Sequence, residues 1–161
     1  MAGRGVLFAI DDDELASLGD AKNDAEVQAL VNGIEARWEQ ACELDKAWDG
    51  IHRALTDGRF HRNASGPLMV PGAILGGTLL VESEEAIIVV KAADEVHQIA
   101  SALASWDRGR FRSGFYRINQ DEYGDLEEED FEYCYVWFER MRAFFVEAAQ
   151  EERAVVFSVD L

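Results

Sequence analysis

Three residues in the first half of the chain have the types and spacing needed to form a small binding pocket. Trp48 and His52 lie four residues apart, which places them on the same face of a helix. Asp45 adjoins them, so a carboxylate, an aromatic ring and a titratable imidazole would border one apolar face. This pattern predicts a pocket at Asp45, Trp48 and His52. The alternative is ordinary packing, with Trp48 in the core and His52 bonded to a backbone carbonyl.

The segment around these residues, LDKAWDGIHRALTDG, predicts a helix. Its apolar side chains recur every three or four positions, as a buried helical face requires. They are Leu44, Ala47, Trp48, Ile51 and Leu55. Asp45 can cap the start of this helix, because its carboxylate can accept from exposed backbone N–H groups. Gly58 can end it, since a left-handed residue is often needed there.

The same segment resembles a pattern of the YfbM-like proteins, a bacterial domain of unknown function. That pattern reads Leu-Asp-Lys-Ala-Trp, then Leu or Ile followed by His, then Leu-Thr-Gly. Further likeness lies at Pro67-Leu68 and at Leu75-Gly76-Gly77, so the resemblance covers most of the chain. The chain departs from the family pattern at residues 91–94, where family members often carry Thr-Pro-Glu-Glu. We therefore expect a slightly frayed helix start there. The resemblance implies a fold and no activity.

The remaining candidates for chemistry do not form a recognised motif. The histidines, His52, His61 and His97, lack the spacing of a zinc site, and no serine lies in a Gly-x-Ser-x-Gly elbow. Cys42 and Cys134 fall on apolar stripes that we interpret as helical, where burial would raise their pKa values. We therefore expect free thiols in a reduced, cytoplasmic protein, with no metal and no cofactor.

The charge of the chain limits its partners. The formal net charge is −17, and no basic stripe offsets it. Such a surface repels phosphate backbones and anionic membranes, so we expect neither nucleic-acid nor membrane binding. It would instead speed association with a basic protein. The alternative is that the acidity only maintains solubility.

The acidic start of the last helix is the candidate surface for such a partner. It comprises Asp125, Glu127, Glu128, Glu129, Asp130 and Glu132. We hypothesise a non-enzymatic binding protein, such as an immunity protein that neutralises a basic bacterial toxin. The second hypothesis is a small-molecule-binding protein or unrecognised enzyme that uses the pocket near Asp45. A third is a homo-oligomeric structural protein, which the aromatic last helix would allow.

The order of elements predicts a single α+β domain over residues 1–161, with helices packed on a small sheet that includes both terminal strands. Strands are predicted at 6–10, 86–90 and 154–159 from their β-branched and apolar residues. Helices are predicted at 11–18, 24–42, 44–58, 92–104 and from Glu127 onward, with a helical turn within 107–115. A loop is predicted at 59–66 and a short helix at 68–75.

Overall fold

A five-stranded antiparallel sheet forms the centre of the protein in a computed structural model that describes residues 3–37, 41–60 and 70–161. Its strands are β1 (Gly5–Ile10), β2 (Ala41–Asp45), β3 (Thr78–Glu82), β4 (Ala86–Lys91) and β5 (Ala154–Asp160). Their order across the sheet is β2-β1-β5-β4-β3. Both terminal strands belong to this sheet, as the sequence predicted, and they are direct neighbours, with Leu7 opposite Phe157.

Helices cover both faces of the sheet and complete an α+β fold. They are α1 (Asp12–Asp20), α2 (Asp24–Glu35), α3 (Ala47–Leu55), α4 (Ala93–Leu103), α5 (Arg108–Phe115), α6 (Gln120–Tyr123) and α7 (Glu128–Gln150). A 3₁₀ turn spans Val70–Ala73. No helix in the described ranges is both long and apolar enough to cross a membrane.

The sheet separates two hydrophobic cores, because successive side chains of a strand point to opposite faces. In β1, Leu7 and Ala9 join the larger core with α3, α4, α5 and α7. Phe8 and Ile10 join the smaller core, which α1 and α2 cover. The continuous apolar run at the start of the chain is thus a strand buried on both faces.

Asp11 caps the start of α1. Its carboxylate accepts from the Glu14 backbone N–H at 2.8 Å, and the Glu14 carboxylate accepts from the Asp11 N–H at 3.1 Å. These two bonds form a capping box and satisfy donors that the first turn of α1 leaves exposed. At α4, Ala92 provides no side-chain cap, but Glu95 accepts from its N–H at 2.9 Å.

The predicted helix over 24–42 was too long, and the predicted cap at Asp45 was wrong. Helix α2 ends at Glu35, and Cys42 lies on β2, where it pairs with Leu7 of β1. The side chains of residues 41–45 alternate between buried and half-buried, which is a strand pattern. Asp45 ends this strand with a positive φ of 48°, and α3 begins at Ala47 after a Lys46 cap without a side-chain bond.

Other elements differ in detail from the predictions. Strand β3, which was not predicted, pairs with β4 at one edge of the sheet. The predicted turn at 107–115 is a full helix, α5, capped by the Asp107 carboxylate. Residues 38–40, within the helix predicted over 24–42, lie outside the described residues. So do residues 61–69, which include most of the predicted loop and the start of the predicted short helix.

Candidate functional site

Helix α3 is buried along its whole length, and it holds two of the three predicted pocket residues. Trp48 is fully buried, and its indole N–H donates to the Gly3 carbonyl at 3.0 Å. Its ring centroid lies 5.7 Å from that of Phe157 on the sheet and 6.0 Å from that of Phe60. His52 is 1% exposed, with its ring 6.2 Å from Phe60. Trp48 and His52 therefore share Phe60 as a neighbour inside the larger core.

Asp45 has different neighbours. Its carboxylate accepts from the Tyr133 hydroxyl at 2.6 Å and from Arg4 Nε at 3.1 Å. The Tyr133 hydrogen bond, followed by that of Arg4, lowers the pKa of the Asp45 carboxyl. Asp45 thus links the end of β2 to α7 and to the N-terminal segment, whereas His52 lies in the middle of α3, beside Phe60.

A buried ion pair on α3 was missed by the sequence analysis. Arg53 donates to Asp49 one turn earlier, with 2.8 Å between Arg53 Nε and Asp49 Oδ1, and both side chains are more than 90% buried. Arg53 also donates to Glu122 of α6 at 2.9 Å. Its guanidinium lies 5.3 Å from the centroid of the Phe60 ring. The i,i+4 spacing of Asp49 and Arg53 was the available signal, because such pairs face each other on a helix.

A second buried cation, Lys91, ends β4. Its side chain is fully buried, and Nζ donates to the Ile74 carbonyl at 2.6 Å. Burial lowers its pKa to about 7, partly offset by the Glu95 carboxylate. The β-branched run before Lys91 indicated a buried strand, but it did not indicate that the lysine itself is inside.

Two carboxylates of the predicted partner-binding surface are already paired within the protein. Glu128 accepts two bonds from Arg112 of α5, at 2.7 and 2.5 Å, and one from the Tyr116 hydroxyl at 2.8 Å. These bonds lower the pKa of Glu128 to about 2. Glu132 forms a bidentate pair with Arg108.

The other four carboxylates of this surface divide into two groups. Asp130 is half-buried beside Tyr123, and its pKa is raised, chiefly by desolvation. Asp125, Glu127 and Glu129 are exposed, and none of them forms an ion pair with a cation of the described residues. The free negative charge at the start of α7 is therefore carried by Asp125, Glu127 and Glu129.

Both cysteines are free and buried, as the sequence predicted, although only Cys134 lies on a helix. Burial raises the pKa of Cys42 to about 11 and that of Cys134 to about 12. The thiols are therefore protonated and weakly nucleophilic near neutral pH.

Metal-ligating side chains do not cluster within the described ranges, where no group of three or more His, Cys, Asp or Glu residues could hold an ion. His52 is packed under Phe60, and His97 is exposed on α4. His61 lies outside those ranges.

An open groove runs between α7 and the edge strand β2. It has a volume of about 460 Å³ and is lined by Ala41, Cys42, Glu43, Trp137, Arg140, Ala143, Phe144 and Glu147. Trp137 and Phe144 are only half-buried, and Val136 beside them is 47% exposed. This groove was not predicted, because residues 41–45 were expected to lie in or between helices and not on an edge strand.

Comparisons with known proteins agree with this fold. The family model described as "Domain of unknown function (DUF1877)" matches residues 1–158, so the chain belongs to that family. The solved structure of YfbM from Escherichia coli, itself described as a protein of unknown function, is similar with a TM-score of 0.74. The two share 18% sequence identity, and the match covers 98% of this chain and 99% of YfbM. No curated protein matches the chain.

Proposed function

We propose that this domain is a non-enzymatic binding protein whose acidic surface recognises a basic protein, as an immunity protein that neutralises a basic bacterial toxin would. The observation that carries the proposal is the free acidic group at the start of α7. Asp125, Glu127 and Glu129 project there with no cation of the described residues to neutralise them. An acidic surface of this kind steers a basic partner and raises its association rate.

The ion pairs beneath this group support the same function. Arg108 and Arg112 hold Glu132 and Glu128 against α5, and their guanidinium groups also lie 4.9 and 4.7 Å from the centroid of the Phe131 ring. These contacts fix the first turns of α7 to α5. The free carboxylates thus lie next to a segment whose backbone is already held in place. Less conformational entropy of this segment is then lost when a partner binds.

Because Glu128 and Glu132 are paired with arginines, they are unsuitable positions for testing the candidate surface. Charge reversal at Glu128 or Glu132 would leave an arginine without its carboxylate, so any loss of binding would be confused with a local rearrangement. Lysine substitutions at Asp125, Glu127 and Glu129 avoid this problem, because these side chains are exposed and form no ion pair in the described structure.

The experiment starts with affinity capture of a stoichiometric partner from the native cytosol, followed by stopped-flow measurement of association. The Asp125→Lys/Glu127→Lys/Glu129→Lys variant should slow association by about tenfold or more and flatten its dependence on salt. The matched control is Glu82→Lys/Glu84→Lys/Glu85→Lys. It makes the same change in net charge at exposed positions of the β3–β4 turn.

If both triple variants slow association equally, recognition at α7 is contradicted, because net charge alone then explains the slower rate. Association that neither variant alters would contradict an acidic recognition surface altogether. A captured partner that is itself acidic would have the same consequence.

A second candidate function is the binding of a small molecule at α3. The buried Asp49–Arg53 pair favours it, because burying an ion pair carries a large desolvation cost and stability alone is a weak reason for keeping one. A thermal-shift screen should then find an anionic ligand whose stabilisation disappears in His52→Ala. A ligand that stabilises wild type and His52→Ala equally would place the binding site elsewhere.

A further inference from the structure

Lys91 occupies a position in the sheet where an apolar side chain is expected. The side chains of β4 alternate between the two cores, so Lys91 points to the same face as Ile87 and Val89, which belong to the larger core. In the register of the sheet it lies opposite Val155, another member of that core. The lysine side chain is fully buried. An amine thus ends a row of side chains that is otherwise aliphatic.

The surroundings of this amine favour its neutral form. Within the described residues, the Ile74 carbonyl at 2.6 Å is the one hydrogen-bond acceptor of Nζ, whereas an ammonium group has three N–H donors. The titratable group that faces Lys91 is Glu95 of α4, whose carboxylate accepts from the Ala92 N–H at 2.9 Å. The other neighbouring elements contribute residues 72–79 and 154–156, none of which is titratable. A buried positive charge is therefore poorly compensated here.

The amine is covered by residues 72–77, which precede β3 and which we call the flap. Three side chains of the flap are buried in the larger core, those of Ala73, Ile74 and Leu75. The 3₁₀ turn that leads into the flap contacts both α3 and α4. At the other end, Gly77 has a positive φ of 114°, and a Cβ atom there would lie 2.4 Å from the Val90 carbonyl oxygen and 3.2 Å from Lys91 Cγ. The flap therefore lies directly against the lysine.

We propose that the flap is a pH-dependent device, closed over the larger core while the Lys91 amine is neutral and opened when the amine takes up a proton. In the closed form the amine is shielded from water, whereas in the open form water hydrates it. The open form consequently binds a proton more tightly, and acid shifts the population toward it. Opening exposes the apolar side chains of residues 73–75. This device is independent of the proposed recognition surface at α7.

The pH range of the shift follows from the two proton affinities of the amine. Burial lowers the pKa of Lys91 to about 7 in the closed form, and a hydrated lysine has the ordinary value of 10.5. Between these values the open form binds more protons, so the ratio of open to closed molecules rises as the pH falls. Below pH 7 both forms are protonated, and the ratio becomes nearly constant. The flap is thus most firmly closed in alkaline solution.

The test uses the full chain with Ala73→Cys as a probe, because residue 73 is fully buried and a thiol there reacts only when the flap opens. Labelling by iodoacetamide is followed by peptide mass spectrometry from pH 6 to pH 9. Each rate is divided by that of the same probe combined with Lys91→Met, which cancels the ionisation of the thiol. This rate ratio should rise about fiftyfold from pH 9 to pH 7 and by no more than about twofold from pH 7 to pH 6.

Native Cys134 is the internal control for global unfolding, because it is fully buried on α7, away from the flap. A flap that opens locally should expose the probe at residue 73 much more often than it exposes Cys134. The probe should therefore be labelled about tenfold faster or more, after correction for thiol ionisation.

A measurement on the unmodified chain covers the case in which a variant does not fold. NMR titration of the Lys91 side chain should give a midpoint well below the ordinary lysine value of 10.5. This readout needs no substitution and reports directly whether the buried amine is neutral in alkaline solution.

Three results would overturn the flap proposal. One is a rate ratio that does not change with pH, which would show that the charge of Lys91 does not open the flap. Another is equal labelling of residue 73 and Cys134, which would mean that the whole domain unfolds instead. The last is an NMR midpoint for Lys91 close to 10.5.

Discussion

The two long faces of α7 carry similar residues but have different neighbours. The inner face is fully buried against the sheet and α5, and its members include Phe131, Cys134, Phe138, Met141 and Phe145. The outer face carries Tyr133, Val136, Trp137 and Phe144, all of them partly exposed. Aromatic and aliphatic side chains therefore occupy both faces of one helix, and the sheet covers only one of them.

This difference shows why composition alone does not identify a binding surface. A buried apolar stripe is needed to hold α7 on the sheet, and it accounts for the inner residues. Trp137 and Phe144 also pack partly against the larger core, whereas Tyr133 and Val136 are exposed, so core packing accounts for the outer residues only in part. Substitutions on the two faces should consequently differ in effect, with unfolding affected more by the inner face than by the outer.

The largest effect should come from the inner face. Phe138 is fully buried, and its ring stacks on that of Phe111 with 4.4 Å between centroids. Phe138→Ala should lower the free energy of unfolding by about 3–5 kcal/mol, as measured by urea denaturation. Val136→Ala on the outer face should change it by no more than about 0.5 kcal/mol. Similar losses in both variants would remove the distinction between the faces.

The two thiols should be alkylated at different rates, because they lie next to different faces of α7. Cys42 lines the outer groove with 9% exposure, whereas Cys134 on the inner face has none. Their pKa values of about 11 and about 12 also leave a smaller thiolate fraction at Cys134. Iodoacetamide should therefore alkylate Cys42 first in the native protein, and peptide mass spectrometry would follow both sites. Earlier modification of Cys134 would show that α7 opens from the core side.

The ion pair at the start of α7 should make stability depend on acid pH. The pKa of Glu128 is about 2 in the folded protein, below its ordinary value of 4.5. Its contribution to stability is thus present above pH 4.5 and is lost as the pH falls through 2. Arg112→Gln should raise the Glu128 titration midpoint measured by NMR toward the ordinary value. An unchanged midpoint would mean that Arg112 does not hold this carboxylate.

The smallest effect should come from the contact that ties the outer face to β2. Tyr133→Phe removes the hydroxyl that donates to Asp45 and should cost about 1 kcal/mol or less, because the pair is partly exposed. NMR titration should show the pKa of Asp45 rising, since the Tyr133 bond is the main cause of its lowering. If the Asp45 titration does not move, Arg4 alone sets its charge.

Periodicity predicted the parts of the fold that repeat over many residues. The strands β1, β4 and β5, helix α4 and the inner face of α7 follow from apolar spacing alone. Strand β2 was missed because its residues continue the three-and-four spacing of α2, and a strand of five residues gives too few alternations to outweigh it.

The site was less predictable because its contacts join distant parts of the chain. Trp48 and His52 were correctly placed on one helical face, since local spacing determines that. The partners of Asp45 and Arg53, by contrast, are Tyr133 and Glu122, which only the tertiary fold brings near. Similarly, nothing in the acidic run at α7 indicated that arginines of α5 neutralise two of its members.

The place of β5 in the sheet has a consequence for how the protein is made. This strand lies between β1 and β4, yet it follows every other strand in the chain. Until it is inserted, the sheet consists of two separate pairs, β1–β2 and β3–β4, each with an apolar edge. Pairing of β1 with β5 also closes most of the chain length into one loop, which slows folding. The sheet can therefore be completed only after β5 has been synthesised, and until then the two strand pairs expose apolar edges of the kind that favour aggregation.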